Sequence, residues 1–431
     1  MENTITYNKL ISDGTEYFTN YGSKNTFLLV NEEIDNLIGA CPTYGGFRFV
    51  KNFKKYNIEI YNDGITPTME EMANMHNIGK TNSKKQGPGL CGMGQIESLV
   101  ACRERRNSTS ALNFTSIHGG KMSTYTCSAN GEKCEIKTSV TSPIDTDEPD
   151  SVTKTFTNVY VPEDEKKFFN EVKLHIAAKI FPYMCKHPNF VFEFNGEQIT
   201  PIDLLYTNIT DDNIQKKTFV YKFNYKNNEY NIKCDLIDFS RYVKPDGFTI
   251  NEINANEYDA YHKFSRESTG VYLEIADVYV VMGGFDSWKH IGKSQHSTHN
   301  GQRVVFHIPE GLKDLIFGEN ARKSSIGEAL YDMKDNTNSY IFRDFINNKI
   351  KTTLEAWVAN RNKLTNDNNI ICKAKEKELY NEILNKPEMA SVINFFDELS
   401  DEMKCIIKKK YIKTMITDYK NNKKEIMTVN A

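Results

Sequence analysis

The 431-residue chain has no Cys-x-x-Cys pair. Its nine cysteines, Cys41, Cys91, Cys102, Cys127, Cys134, Cys185, Cys234, Cys372 and Cys405, are odd in number and scattered. That pattern argues for reduced thiols rather than a disulfide framework. No apolar run approaches the ~20 residues a membrane span needs, and no leading apolar segment carries a cleavage site. These absences predict an intracellular protein with no membrane partner, and do not separate cytoplasm from nucleus. Neither sign of charge dominates: 54 Lys and Arg against 57 Asp and Glu leave a net charge of −3. This excludes a strongly polyanion-binding chain and an acidic disordered one. No internal repeat is visible. What is present suffices for packed cores, with 39% hydrophobic and 12% aromatic residues. The length predicts two or three domains of roughly 100–200 residues each.

The most informative stretch is 87–98, GPGLCGMGQIES, with glycines at Gly87, Gly89, Gly92 and Gly94 ahead of an apolar run. Glycines opening a helix form a cradle of N–H groups suited to phosphate. A P-loop fits less well, because Gly79-Lys80-Thr81 follows a helical pattern and lacks the earlier glycine. A Rossmann fingerprint would need a βαβ unit, whereas these glycines follow a polar loop.

Upstream, 26–40 (TFLLVNEEIDNLIGA) spaces its apolar residues as a helix, which puts Glu32 and Asn36 on one face. Without context this is an amphipathic helix with a solvated polar face. Residues 53–66 (FKKYNIEIYNDGIT) alternate as a strand that stops at Asn62-Asp63-Gly64. Residues 67–78 start with Pro67 and read as a short helix, and 79–86 as a polar loop.

This order resembles the GHKL superfamily of ATPases, which joins gyrase B, the large heat-shock chaperones, histidine kinases and MutL. Glu32-x-x-x-Asn36 is similar to its N box, Asn62-Asp63-Gly64-Ile65-Thr66 to its Asp-x-Gly-x-Gly box, and 89–94 to its second glycine box. The resemblance implies an α+β fold: a Bergerat-type α/β sandwich ATPase domain, then an S5-like transducer domain and a helical tail. It implies ATP and Mg²⁺ as cofactors, with Glu32 as the base and Asn36 as the metal-binding residue. Asn62, Asp63, Gly64, Gly87, Gly89, Gly92 and Gly94 are implied as nucleotide-binding, together with a strand threonine, Thr155 or Thr157, of which Thr157 is preferred. Two positions depart from the pattern. Asn62 stands where the family has its adenine-reading aspartate, and Thr66 where it has the second glycine. An asparagine carbonyl accepts a bond from an adenine amino group without a carboxylate's charge-assisted strength. Asp63 would serve if the turn shifts by one residue. Gly39 stands where many members have an acidic residue.

Further on, 108–141 reads as a hairpin region turned at Asn130-Gly131, 155–161 as a strand, 163–184 as one helix and 190–199 as a strand pair turned at Asn195-Gly196. From Lys217 alternating runs turn at Asn227-Asn228 and near Ala276-Asp277, and 303–308 is a strand. The segments 270–281 and 300–326 resemble most closely MORC-like members of the superfamily. By that resemblance Lys323 reaches the γ-phosphate from the transducer domain. The expected domains are 1–213, 214–360 and 361–431. The basic run 404–424 reads as a solvated face or a nucleic-acid contact. His290, His296 and His299 lack Cys or acid at zinc-ligand spacing, and Cys91 has no evident His partner. The functional expectation is a Mg-ATP-dependent clamp that closes as a homodimer on DNA or a protein client. The alternatives are the ATPase subunit of a type II topoisomerase and a non-catalytic nucleotide-binding module.

Overall fold

Asn25 starts the first helix, its side-chain oxygen accepting from the Leu28 N–H at 3.1 Å. In the computed structural model that helix, α1, spans Thr26–Ile38. The structure describes residues 24–53, 55–73, 94–105, 108–130, 135–141, 143–205, 207, 214–225, 227–239, 269–284, 299–312, 344–361 and 363. The chain forms two compact units, 1–354 and 355–431, and the described residues of the second, 355–361 and 363, are helical.

The first unit is mixed α+β and holds two sheets. Strands β1 (Tyr44–Asn52), β2 (Lys55–Asn62), β3 (Ser110–His118), β4 (Lys121–Asn130), β5 (Glu135–Val140), β6 (Ile144–Asp145), β7 (Ser151–Val159), β8 (Val191–Phe194) and β9 (Glu197–Gln198) make the first. Its order is β5-β4-β3-β7-β2-β1-β8-β9, with β6 on β4, and only β1 and β8 pair in parallel. Helices α2 (Met69–Ala73), α3 (Gly94–Ala101), α4 (Glu165–Lys179) and α5 (Phe181–Lys186) complete this part. The second sheet has β10 (Gln215–Tyr225), β11 (Asn228–Asp238), β12 (Gly270–Ile275), β13 (Val278–Met282) and β14 (Gln302–Ile308), in the order β10-β11-β14-β12-β13.

One apolar core serves both sheets. It joins Leu29, Val30, Ile34 and Leu37 of α1 to Phe47, Ile58, Phe114 and Phe156 of the first sheet. Val172 and Ile176 of α4 and Tyr272 and Tyr279 of the second sheet belong to it as well. Two polar clamps fix α1. Burial holds His175 on α4 down to about 3, so it is neutral, and its Nε2 lies 2.6 Å from Asn31 Oδ1. Lys179 Nζ lies 2.9 Å from Asp35 Oδ1 and donates to the Tyr279 carbonyl on β13 at 3.0 Å.

Several expected elements are shifted, each for a physical reason. The single helix over 163–184 is two, because Pro182 cannot donate to the ladder and its ring crowds the preceding turn. Asp164 caps α4, accepting from Lys167 N–H at 3.1 Å. Strand β1 was absent from the sequence reading because Gly45-Gly46 resembles a loop. A Cβ at Gly46 would lie 2.6 Å from both the Glu193 carbonyl and the Tyr61 hydroxyl, so the bare backbone admits that hydroxyl. The expected hairpin at Asn130-Gly131 is present, β4 pairing antiparallel with β5 from Asn130 opposite Glu135, and a second hairpin, β3–β4, turns at Gly119-Gly120, both with positive φ. The Asn195-Gly196, Asn227 and Ala276-Asp277 turns have the expected positive φ values.

Candidate nucleotide-binding site

The period-2 pairing of three strands builds the floor of a cavity. The first rung places Ile60 of β2, Lys154 of β7 and Phe114 of β3 side by side, and the next aligns Asn62, Val152 and Ser116. Over this floor lie Glu33, Asn36 and Leu37 of α1, with Ala40, Ile65 and Pro67 closing the sides. The pocket is small and partly open to solvent, with a cavity volume of about 10 Å³. Its walls are largely apolar, and its polar groups are Glu33, Asn36, Asn62 and Lys154.

The strand stop at Asn62 divides two adjacent polar side chains between different tasks. Asn62 is buried, lines the cavity and accepts from the Gly64 N–H at 3.1 Å. Asp63 instead holds the start of β1, its Oδ1 accepting from the Thr43 and Tyr44 N–H groups at 2.8 Å each. Burial alone would raise the Asp63 carboxyl, but these bonds and one from the Thr43 hydroxyl hold it below the usual carboxylate range. Gly64 must be bare: a Cβ there would lie 2.3 Å from the Ala40 carbonyl at the end of α1. Ile65 N–H donates to that same carbonyl at 2.7 Å, tying the turn to the helix end. Thr66 is buried, with its hydroxyl 2.8 Å from His118 Nδ1. The Ser116 hydroxyl donates to the Pro67 carbonyl at 2.7 Å.

On α1 the cavity takes Asn36 and Glu33, while Glu32 is half-buried and not among the lining residues. Residues four apart on a helix differ by about 40° around its axis, and Glu33 lies about 60° to the other side of Asn36. The Asn36 amide donates to Glu33 Oε1 at 3.4 Å. Glu33 is buried and ion-paired to the equally buried Lys154 at 2.5 Å. Thr157 falls on the opposite face of β7 from Lys154, and its hydroxyl donates to the Ala111 carbonyl at 3.3 Å. It does not join the cavity lining.

Gly94 is the first residue of α3, whose far end is tied to α1 by the Asn25 N–H donating to the Ala101 carbonyl at 2.9 Å. Gly87, Gly89, Gly92 and Lys323 lie outside the described residues, as do Cys91, His290 and His296. His299 Nδ1 lies 2.9 Å from Gln302 Oε1. Among the described residues no cluster of three His, Cys, Asp or Glu side chains could hold a metal ion. No helix among them is long and apolar enough to cross a membrane.

Lys154 is the site residue that the sequence reading missed. The signal was available: in SVTKTFTNV it shares the period-2 face of Val152 and Phe156, where a lysine breaks an otherwise apolar row. Glu33 was passed over because its neighbour Glu32 completes the Glu-x-x-x-Asn spacing.

No protein-family model and no curated protein matches this chain. Among solved structures it is similar to two of the ATPase region of Saccharomyces cerevisiae topoisomerase II, one of them bound to ICRF-187 (dexrazoxane). In each case the identity is 12%, over 70% of this chain and 80% of that one, with a TM-score of 0.36.

Proposed function

We propose that the cavity holds the base of Mg-ATP and that the chain is a GHKL-type ATPase. The observation that carries this reading is the convergence of two motifs distant in sequence. Asn36 from the helix and Asn62 from the strand end line one apolar slot, and the Ile65 N–H, brought close by the bare Gly64, ties the strand-end turn to the helix end. Apolar walls with a few polar groups suit a flat heterocycle, which the small pocket would widen to admit.

In this reading Asn62 contacts the base. Asn36 donates through its amide to Glu33, which leaves its carbonyl oxygen, a hard ligand, as the atom that would hold a Mg²⁺. The bound ion would neutralise phosphate charge. The N–H groups of 87–94 receive the phosphates, and Gly94, opening α3, fits that role. Glu32 orients the attacking water from the side of α1 away from Glu33, whose carboxylate is held by Lys154. Lys323 supplies a charge to the γ-phosphate. Asp63 and Thr157 support the site through the backbone of β1 and β3 rather than by contact.

ATP then acts as the gate of a dimeric clamp with DNA or a protein client. The MORC-like reading depends on segments 270–281 and 300–326, the last part of which lies outside the described residues. A topoisomerase ATPase subunit and a non-catalytic nucleotide-binding module share the same cavity chemistry. Steady-state phosphate release separates the last of these from the rest. Wild type should turn over ATP, and Glu32→Ala should lower the rate by about 10²-fold or more with nucleotide affinity retained. An unchanged rate would remove Glu32 from that role. Lys323→Ala should slow turnover, and an unaltered rate removes the lysine.

A further inference from the structure

The floor of the cavity carries a charged pair that an apolar base slot does not need for stability. Glu33 and Lys154 are 1% and 5% exposed and lie 2.5 Å apart, and both line the cavity. A buried ion pair contributes little net stability, because desolvation offsets the attraction. An apolar pair of the same volume would join α1 to β7 equally well. The placement therefore calls for a use beyond packing.

The two groups offer a ligand an adjacent donor and acceptor. Lys154 has three N–H protons, of which one goes to Glu33, and its ammonium lies 5.3 Å from the centre of the Phe114 ring. Among the described residues Glu33 Oε1 has only the long 3.4 Å bond from Asn36. Beside them the Asn62 oxygen is engaged by the Gly64 N–H at 3.1 Å, which fixes the orientation of that amide. The edge of a purine used in base pairing also carries an adjacent donor and acceptor. In adenine these are the 6-amino group and the ring nitrogen next to it. In guanine the order is reversed, a 6-oxo acceptor beside a ring N–H.

We propose that Glu33 and Lys154 read this edge, the carboxylate accepting from the exocyclic amino group and the ammonium donating to the ring nitrogen. An adenine nucleotide is thereby held in preference to a guanine nucleotide, whose carbonyl would face the carboxylate. This rests on the nucleotide-binding reading above and names the residues that select the base.

The test is calorimetric titration of the full chain with Mg²⁺ and non-hydrolysable ATP and GTP analogues. Wild type should prefer the adenine analogue by about tenfold or more, the range of a hydrogen bond to a charged group. Purine riboside triphosphate, which lacks the 6-amino group, should bind wild type about tenfold more weakly than ATP. In Glu33→Leu with Lys154→Met, which removes both charges together, the ATP-to-GTP ratio should fall below about threefold while both nucleotides still bind. Lys154→Arg, which keeps the charge but re-aims the donors, should change the ratio at least about fivefold.

Equal affinity of wild type for the ATP and GTP analogues overturns the proposal, as does an undiminished affinity for purine riboside triphosphate. A wild-type ratio in the double variant or in Lys154→Arg overturns it too. Failure of wild type to bind any of the three nucleotides defeats the underlying nucleotide-binding reading instead.

Discussion

His307 on β14 stands between two carboxylates, with Nδ1 2.6 Å from Glu274 Oε2 on β12 and Nε2 2.8 Å from Asp235 Oδ2 on β11. Burial alone would lower it, but the two carboxylates prevail and raise it to about 9. Asp235, which also accepts from Lys233 and Thr218 at 2.6 Å each, is held well below the usual carboxylate range against its burial. The folded value of the histidine lies above its unfolded one, near 6.5. Its contribution, up to about 3 kcal/mol, is therefore complete below pH 6.5 and is lost as pH rises through about 9. Urea midpoints should fall between pH 6.5 and 9.5 in wild type, and His307→Gln should flatten that fall. Parallel curves would show that the histidine is not the titrating group. At the same scale, Lys154→Met alone should cost about 3–5 kcal/mol by leaving Glu33 buried and unpaired. The paired change Glu33→Leu with Lys154→Met should cost far less, and equal losses would contradict the ion pair.

Helix α1 serves three neighbours with successive turns of one short sequence. Asn31 faces His175 of α4, Glu33 and Asn36 face the cavity, and Asp35 faces Lys179. Lys179 also donates to the Tyr279 carbonyl, so a single buried ammonium joins the cavity helix to the edge strand of the second sheet. Replacing it with Met should raise amide exchange in β13 and leave the β3–β4 hairpin protected. Unchanged protection of β13 would show that the link is redundant. The sequence reading reached α1, β2, β7 and the second-sheet strands because their periodicity is strong, and because Asn62-Asp63-Gly64, Asn227-Asn228 and Ala276-Asp277 mark turns at β2 and in the second sheet. It missed β1, where Gly45-Gly46 exists for the close approach of Tyr61 rather than for a turn. Asn36 and Asn62 were legible from motif spacing. Their relation to Lys154 was not, because it depends on which rung of β7 faces β2 and β3, a register set by long-range pairing.

Across the first unit, the two sheets share a core through α1, α4 and β13, so a change at the cavity has a packed route to the second sheet. In the proposed clamp that route links nucleotide binding to association of two copies. Light scattering should show the monomer mass doubling on addition of a non-hydrolysable ATP analogue, and an unchanged mass would remove the clamp while leaving the cavity's chemistry intact. The cavity itself is tested most directly by calorimetric titration of wild type and Asn36→Ala with that analogue, with and without Mg²⁺. One saturable site per chain is expected, strengthened by Mg²⁺ in wild type and insensitive to Mg²⁺ in the variant. Absence of binding by wild type, or the same Mg²⁺ dependence in both proteins, would contradict a nucleotide site built on Asn36 and Asn62.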